Sequence, residues 1–229
     1  MKTVLITGGS SKIAEAAIIK YLDCGYQVIT TYHNQKLDIP DVKSYYLDIE
    51  DEVSILKLIN DLKKDYGTID VLVNNIGTCF DSPIEEKELA TFKKIINVNL
   101  TGTYLMCKHI KEVMPEGTIL NISSTNGIDT YYPESMDYDA SKAGVNSLTH
   151  NFAKLYAPAI RVNALALGWV NTDMTKDMSW LFRADQEEKI LLKRFAEPEE
   201  IANVIYFITS EEASYINNSI IRVDGGKNE

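Results

Sequence analysis

Two hydrophobic rhythms alternate along the chain. Seven short runs are apolar at most positions: TVLITG (3–8), QVITTY (27–32), VKSYYLD (42–48), DVLVNN (70–75), GTILNIS (117–123), IRVNALAL (160–167) and SIIRVDGG (219–226). Such runs suit strands of a sheet covered on both faces. Between them lie stretches with helical spacing, which predict helices over Lys12–Cys24, Glu52–Tyr66, Lys87–Met114, Asp137–Tyr156 and Pro198–Thr209. Pro198 falls in a first turn, where its fixed φ and missing N–H are tolerated. Strand–helix alternation with short links predicts an α/β fold: a parallel, doubly wound sheet of about seven strands with helices on both faces. No repeat or linker divides the chain, so one domain over 1–229 is expected.

Two links break the rhythm. Only nine residues, HNQKLDIPD, separate the second and third runs. A parallel crossover needs about a dozen or more, so the helix there must be vestigial. The stretch from Asn171 to about Ala184 reads as irregular, yet carries Met174, Met178, Trp180, Leu181 and Phe182. An apolar loop at the carboxyl end of a strand suggests a lid over an apolar substrate. The alternative is a small packed helix or a subunit contact.

Composition narrows the function. The net charge of −10 repels phosphate backbones, so nucleic acid is not an expected partner. Any phosphate site must be built locally. The run EEKE (85–88) reads as a solvated helix start. No apolar run reaches the ~18 residues of a membrane span, and the N-terminus lacks a signal-peptide pattern; the expected location is the cytoplasm, without membrane association. Cys24, Cys79 and Cys107 are far apart and odd in number, which suggests reduced, buried thiols. His33, His109 and His150 have no metal-ligand spacing, and no metal is expected.

The candidate chemistry gathers at strand ends. TGGSSKIA (7–14) is a glycine turn between a strand and a helix, a place where phosphate binds helix amides. YDASK puts Tyr138 and Lys142 one helical turn apart. Ser124 follows the NIS of the fifth run, Asn99 lies in NVNLTG, and NNIG (74–77) ends the fourth run. Ligands of doubly wound sheets bind at such carboxyl ends.

The ordered set TGG, LDI, NNIG, NVNLTG, NISS, YDASK, IRVNALALG and EPEEIA resembles the short-chain dehydrogenase/reductase family, in pattern close to 3-oxoacyl-carrier-protein reductases. The resemblance covers nearly the whole chain. It implies a single Rossmann-type domain that interconverts a ketone and a secondary alcohol with NADP(H), or NAD(H), 3-oxoacyl thioesters being one substrate class. It also implies a homo-oligomer, a tetramer. It casts Tyr138 as acid/base, Lys142 as its partner and ribose ligand, Ser124 as carbonyl orienter and Asn99 as support for a proton relay. Cofactor contacts fall on Gly8, Ser10, Ser11, Lys12, Ile13, His33, Asp48, Ile49, Asn75, Gly77, Tyr138, Lys142, Val170 and Thr172.

Physical chemistry agrees with these types. Free tyrosine ionises near pH ~10. An ammonium about 4 Å away contributes about 4 kcal/mol at an effective dielectric of ~20, which lowers that by about three units. Lys142 is thus expected to tune Tyr138 downward. Tyr32, His33 and Asn34 end the second run with no carboxylate to repel a 2′-phosphate, which favours NADP. The chain also departs from the family pattern. Lys12 and Ala14 replace glycines of the loop, Ile76 and Leu167 replace Ala and Pro, and Asn218 stands at a usual turn glycine. The serine-to-tyrosine gap is one residue longer, so Ser123 is the alternative to Ser124. A non-catalytic dinucleotide sensor or scaffold with the same fold is the alternative function.

Overall fold

A computed structural model of the chain describes residues 1–227. All seven expected strands form: β1 (Thr3–Ile6), β2 (Gln27–Tyr32), β3 (Val42–Tyr46), β4 (Val71–Asn74), β5 (Gly117–Ser124), β6 (Ile160–Leu167) and β7 (Ile220–Val223). They make one parallel sheet in the order β3-β2-β1-β4-β5-β6-β7. The chain winds outward from β1 in one direction, then from β4 in the other. The switch point lies between those two strands, and a cleft opens there at the carboxyl ends.

Period-two alternation feeds two cores. Leu5 and Leu72 face one side, where they pack with Ile55 and Leu58 of α2 (Glu52–Tyr66) and Phe152 of α5 (Met136–Tyr156). Val4, Ile6, Val71 and Val73 face the other, against Ala17 and Ile18 of α1 (Lys12–Asp23) and Ile201 and Ile205 of α7 (Pro198–Thr209). Both faces of β1 and β4 are therefore buried, which is why their runs are unbroken. Pro198 opens α7 behind a capping box between Glu197 and Glu200. The nine-residue link after β2 holds no helix, as its length required. Asn218 adopts φ +61°, the left-handed turn that asparagine tolerates. The one-domain reading over 1–229 extends two residues past those described.

Four expectations are corrected. The helix over 87–114 is two helices, α3 (Leu89–Ile96) and α4 (Gly102–Ile110), joined by a π turn at Asn97–Thr101. Hydrophobic spacing does not register one extra residue in a turn. The EEKE run leads into α3 with Glu85, Glu86 and Glu88 exposed, as expected of a solvated helix start, but Lys87 departs from it: its side chain is 3% exposed and paired with Asp137. The segment after Asn171 is irregular only to Ser179; α6 (Trp180–Lys189) follows, capped by Ser179. The cysteines are free, but only Cys107 is buried, and Cys24 is exposed. Among the described residues no helix is long and apolar enough to cross a membrane.

Candidate active site

The glycine turn is shaped by what surrounds it. Gly8 has φ +72°, and a Cβ on Gly9 would lie 2.2 Å from the hydroxyl of buried Thr30. No other residue fits either position without movement. Thr31 takes the amides of both, through its hydroxyl (3.1 Å) and carbonyl (2.9 Å). Asn75, just past β4, donates to the Thr7 carbonyl at 2.9 Å and to Ser11 Oγ at 3.0 Å. Ser11 caps α1 by accepting from the Ala14 amide at 3.2 Å. The amides of Lys12 and Ile13 then belong to the first helical turn, where no intrahelical partner exists. Amides so placed, at the positive end of a helix, can hold an anion. Lys12 Nζ lies along the helix surface, 2.9 Å from Glu15.

The cleft has a volume of about 780 Å³. Its wall includes Ser11, Lys12, Ile13, Asn75, Gly77, Val170 and Thr172 together with Ser124, Tyr138 and Lys142. Gly8 and Ser10 lie in the turn behind that wall. His33, Asp48 and Ile49 lie farther out, past β2 and β3. His33 leans on Tyr46, its Nε2 3.9 Å from Asp48 Oδ2, whereas the Ile49 side chain is buried in the core.

The three candidate catalytic side chains converge. Lys142, 4% exposed, donates to the Ile122 carbonyl at 2.8 Å. Its Nζ is 5.5 Å from the centre of the Tyr138 ring. A Cβ on Gly77 would lie 3.3 Å from that Nζ, so the bare backbone leaves the amine open to the cleft. Ser124 lines the cleft with Tyr138 and donates to Asn126 Oδ1 at 3.1 Å, whereas Ser123 donates to the Lys142 carbonyl at 3.3 Å. Both serines line the cleft; adjacent strand residues face opposite sides, and Ser123 is the one turned to the backbone of α5.

The electrostatics correct one expectation. Burial raises the Tyr138 phenol above its ordinary value, with Cys79, Asp139 and Asp81 adding to it against the Ser124 hydrogen bond. Burial pulls Lys142 down to about 8. Desolvation is the leading cause of both shifts. The phenol is raised, not tuned downward by Lys142 alone.

Asn99 sits in the π turn. Its Oδ1 accepts from the Thr78 amide at 2.8 Å, and its Nδ2 donates to the Thr78 carbonyl at 2.9 Å and to Ser141 Oγ at 3.0 Å. Its own carbonyl accepts from Thr103 Oγ1 at 2.7 Å. Asn99 therefore ties the strand end at Gly77 and Thr78 to α5.

Sequence reading missed several cleft residues. Cys79 and Asp81 line it, with Cys79 Sγ 3.1 Å from Asp81 Oδ1. Asp139 accepts from Asn126 Nδ2 (2.7 Å), the Tyr132 amide (3.1 Å) and Ser135 Oγ (3.2 Å), which pins the 126–135 segment to α5. Gln186 Oε1 accepts from Tyr132 Oη (2.7 Å) and Trp169 Nε1 (3.1 Å), which anchors α6 over the cleft. Lys227 donates to Tyr132 Oη at 2.8 Å. The contacts of Tyr132 with Gln186 and Lys227 join positions 54 and 95 residues apart, which no local pattern records. Of the lid's apolar residues, Met174, Met178 and Phe182 line the cleft. Trp180 and Leu181 face outward, 75% and 63% exposed.

The residues present fit a dinucleotide. Two glycines admit no Cβ cheaply, a helix start presents amides, and a buried amine has hydrogens to spare at the far wall. Among the described residues no cluster of His, Cys, Asp or Glu suits a metal.

Known proteins resemble the chain in sequence and in fold. The model of a family described as "Enoyl-(Acyl carrier protein) reductase" matches residues 8–228. The chain is 36% identical over 239 residues to the 3-oxoacyl-[acyl-carrier-protein] reductase FabG of Thermotoga maritima, covering 98% of this chain and 97% of that protein. It is 33% identical to glucose 1-dehydrogenase 2 of Bacillus subtilis, at 98% and 94% coverage. The ligand-free structure of Thermoplasma acidophilum aldohexose dehydrogenase superposes with a TM-score of 0.92 at 28% identity, covering 98% of this chain and 93% of that one.

Proposed function

From the premise that this chain belongs to the short-chain dehydrogenase/reductase family and is an oxidoreductase of it, we propose that it reduces a ketone to a secondary alcohol with Tyr138 as the acid. The observation that carries this reading is that Ser124, Tyr138 and Lys142 line one cleft together with the start of α1 that follows the glycine turn. When bound, NADP(H) supplies the hydride. Ser124 and Tyr138 hydrogen-bond the substrate oxygen. Tyr138 gives its proton to that oxygen as negative charge develops there. A phenol held protonated by burial is the form this direction requires. Lys142 places charge beneath the phenol ring and offers its remaining N–H bonds to a ribose hydroxyl. Asn99 holds the strand end at Gly77 that leaves that amine accessible.

The turn amides, Ser10, Ser11, Asn75, Val170 and Thr172 would hold the dinucleotide, with His33, Asp48 and Ile49 toward its ribose end. NADP is the preferred form, because His33 and Asn34 bring no carboxylate to the end of β2; NAD is second. The likeness to a 3-oxoacyl-carrier-protein reductase, together with Met174, Met178 and Phe182 along the cleft, makes a 3-oxoacyl thioester the leading substrate. One domain carries both cofactor and catalytic groups, in the cytoplasm, and the working form is a homotetramer. The complete set of four candidate catalytic residues disfavours a non-catalytic sensor.

The test is turnover of 3-oxoacyl thioesters, cyclic ketones and aldoses with NADPH and with NADH. Tyr138→Phe should lower kcat by about 10²–10⁴-fold and leave cofactor affinity unchanged. Activity of that variant within threefold of wild type would sink the assignment.

A further inference from the structure

The substrate wall of the cleft is joined to the start of α5 by a buried ion pair. Lys87 Nζ lies 2.7 Å from Asp137 Oδ1, with side chains 3% and 0% exposed. The same ammonium donates to the Phe80 carbonyl at 3.1 Å. The same carboxylate oxygen accepts from the Tyr138 amide at 3.0 Å. One chain of contacts thus runs from Phe80 through Lys87 and Asp137 to Tyr138. Phe80 sits between Cys79 and Asp81, both on the cleft wall. A second link, from the Ser82 amide to the Glu134 carbonyl at 3.2 Å, joins the same two segments.

Packing alone does not ask for ions here. Two well-packed apolar side chains are as stable as a buried pair, or more so. The pair is also incompletely satisfied: Asp137 Oδ2 is buried without a hydrogen-bond partner among the described residues. What the ions provide is direction. Lys87 must lie where both Asp137 and the Phe80 carbonyl can be reached, and Asp137 where it meets both Lys87 and the Tyr138 amide. An apolar contact would let either segment slide.

We propose that Lys87 is a positioning residue: together with Asp137 it fixes residues 79–83 of the cleft wall relative to Tyr138, so that substrate and phenol are held as one body. The proposal rests on the reading of Tyr138 as the acid. Its physical basis is the steep dependence of rate on alignment, where an error of about 1 Å costs as much as ~10²-fold. The phosphate turn is built from other segments, around β1, α1 and the end of β4, so cofactor affinity does not depend on the pair.

The experiment compares Lys87→Met, Lys87→Arg, Asp137→Asn and the double variant Lys87→Met/Asp137→Asn. Read out are kcat and substrate KM at saturating cofactor, cofactor affinity by calorimetry, and Tm, with Tyr138→Phe alongside. Lys87→Met and Asp137→Asn should each lower kcat on the order of tenfold and raise substrate KM, with cofactor affinity unchanged. The double variant should be no slower than Lys87→Met, because the pair acts as a unit. Lys87→Arg should recover most of kcat. A folded Lys87→Met with wild-type kcat and KM, whatever its Tm, overturns the proposal. If that variant does not fold, the double variant, which buries no lone charge, decides: wild-type kcat there overturns it equally. Should Tyr138→Phe itself remain active, it is the assignment of the acid that has failed.

Discussion

At Lys142, burial and charge oppose each other in a way that can be measured. The amine titrates at about 8 in the folded chain, against 10.5 for an ordinary lysine, because burial penalises its charged form. Between those values the unfolded chain binds the proton that the folded one has lost. Stability from this group therefore rises with pH across pH 8 to 10.5, and the penalty is present in full below 8. Each pH unit contributes about 1.4 kcal/mol, or about 3 kcal/mol over the window. Lys142→Met removes that dependence. Its stability relative to wild type should fall by about 3 kcal/mol between pH 7 and pH 10.5 in denaturant titrations. Loss of the Ile122 hydrogen bond shifts both ends equally. A difference that stays flat with pH would mean the amine is hydrated, not desolvated. The YxxxK spacing exposed this residue in the sequence, but not its state: the 2.8 Å bond to the Ile122 carbonyl comes from β5, twenty residues upstream.

At the scale of elements, the β1–α1 turn is the tightest junction. Its narrowness comes from Thr30 of β2, which donates to the Ile6 carbonyl at 2.9 Å and stands beneath Gly9. Gly9→Ala forces a Cβ against it, so the turn must lift away from Thr30 and its amides re-aim. We expect cofactor affinity to drop at least about tenfold, with Tm lowered by several degrees, as for overpacking of about 1–3 kcal/mol. Calorimetry and thermal melts check both. Adding Thr30→Ala should restore part of the affinity, and no restoration would mean the loss has another cause. The glycine was visible in the sequence; Thr30 beneath it was not, because parallel pairing of β1 with β2 sets that register. Element boundaries failed in the same way. The π turn puts Asn99 between Thr78 and Ser141, contacts 21 and 42 residues distant in sequence, and α6 is anchored through Gln186 to Tyr132 and Trp169.

For the whole molecule, the expected tetramer rests on an uncovered face. Tyr104 of α4 is 41% exposed, Leu89 of α3 66% and Leu155 of α5 69%. A shallow hollow lined by Leu100, Tyr104, Gly144 and Leu148 runs between α4 and α5. A charge of −10 would keep monomers apart unless such a surface drew them together. Light scattering of the wild type at micromolar concentration should give an assembly larger than one chain. Tyr104→Glu puts a charge into the contact and should shift the protein toward smaller species, with Tm lowered in step. A wild-type protein that runs as a monomer would rule out the tetramer.

What the sequence determined by itself was whatever is periodic or local. Full burial of the central strands, the parallel sheet, the missing crossover helix, the glycine turn and the Tyr138–Lys142 spacing each follow from neighbours within a turn or a strand. Apolar periodicity encodes which face is buried, and glycine and proline encode where the backbone must bend. Tertiary structure alone decided what depends on distance through space. Lys87, read as solvated in a run of charges, is buried because Asp137, fifty residues on, meets it. The Tyr138 phenol is raised above its ordinary value because of burial, which no spacing records. Ser123 meets the Lys142 carbonyl and Ser124 meets Asn126 because the pleat of β5 sets which side each serine takes. Burial and pairing energies belong to the folded surroundings, and those exist only once the sheet has brought separate segments to one edge.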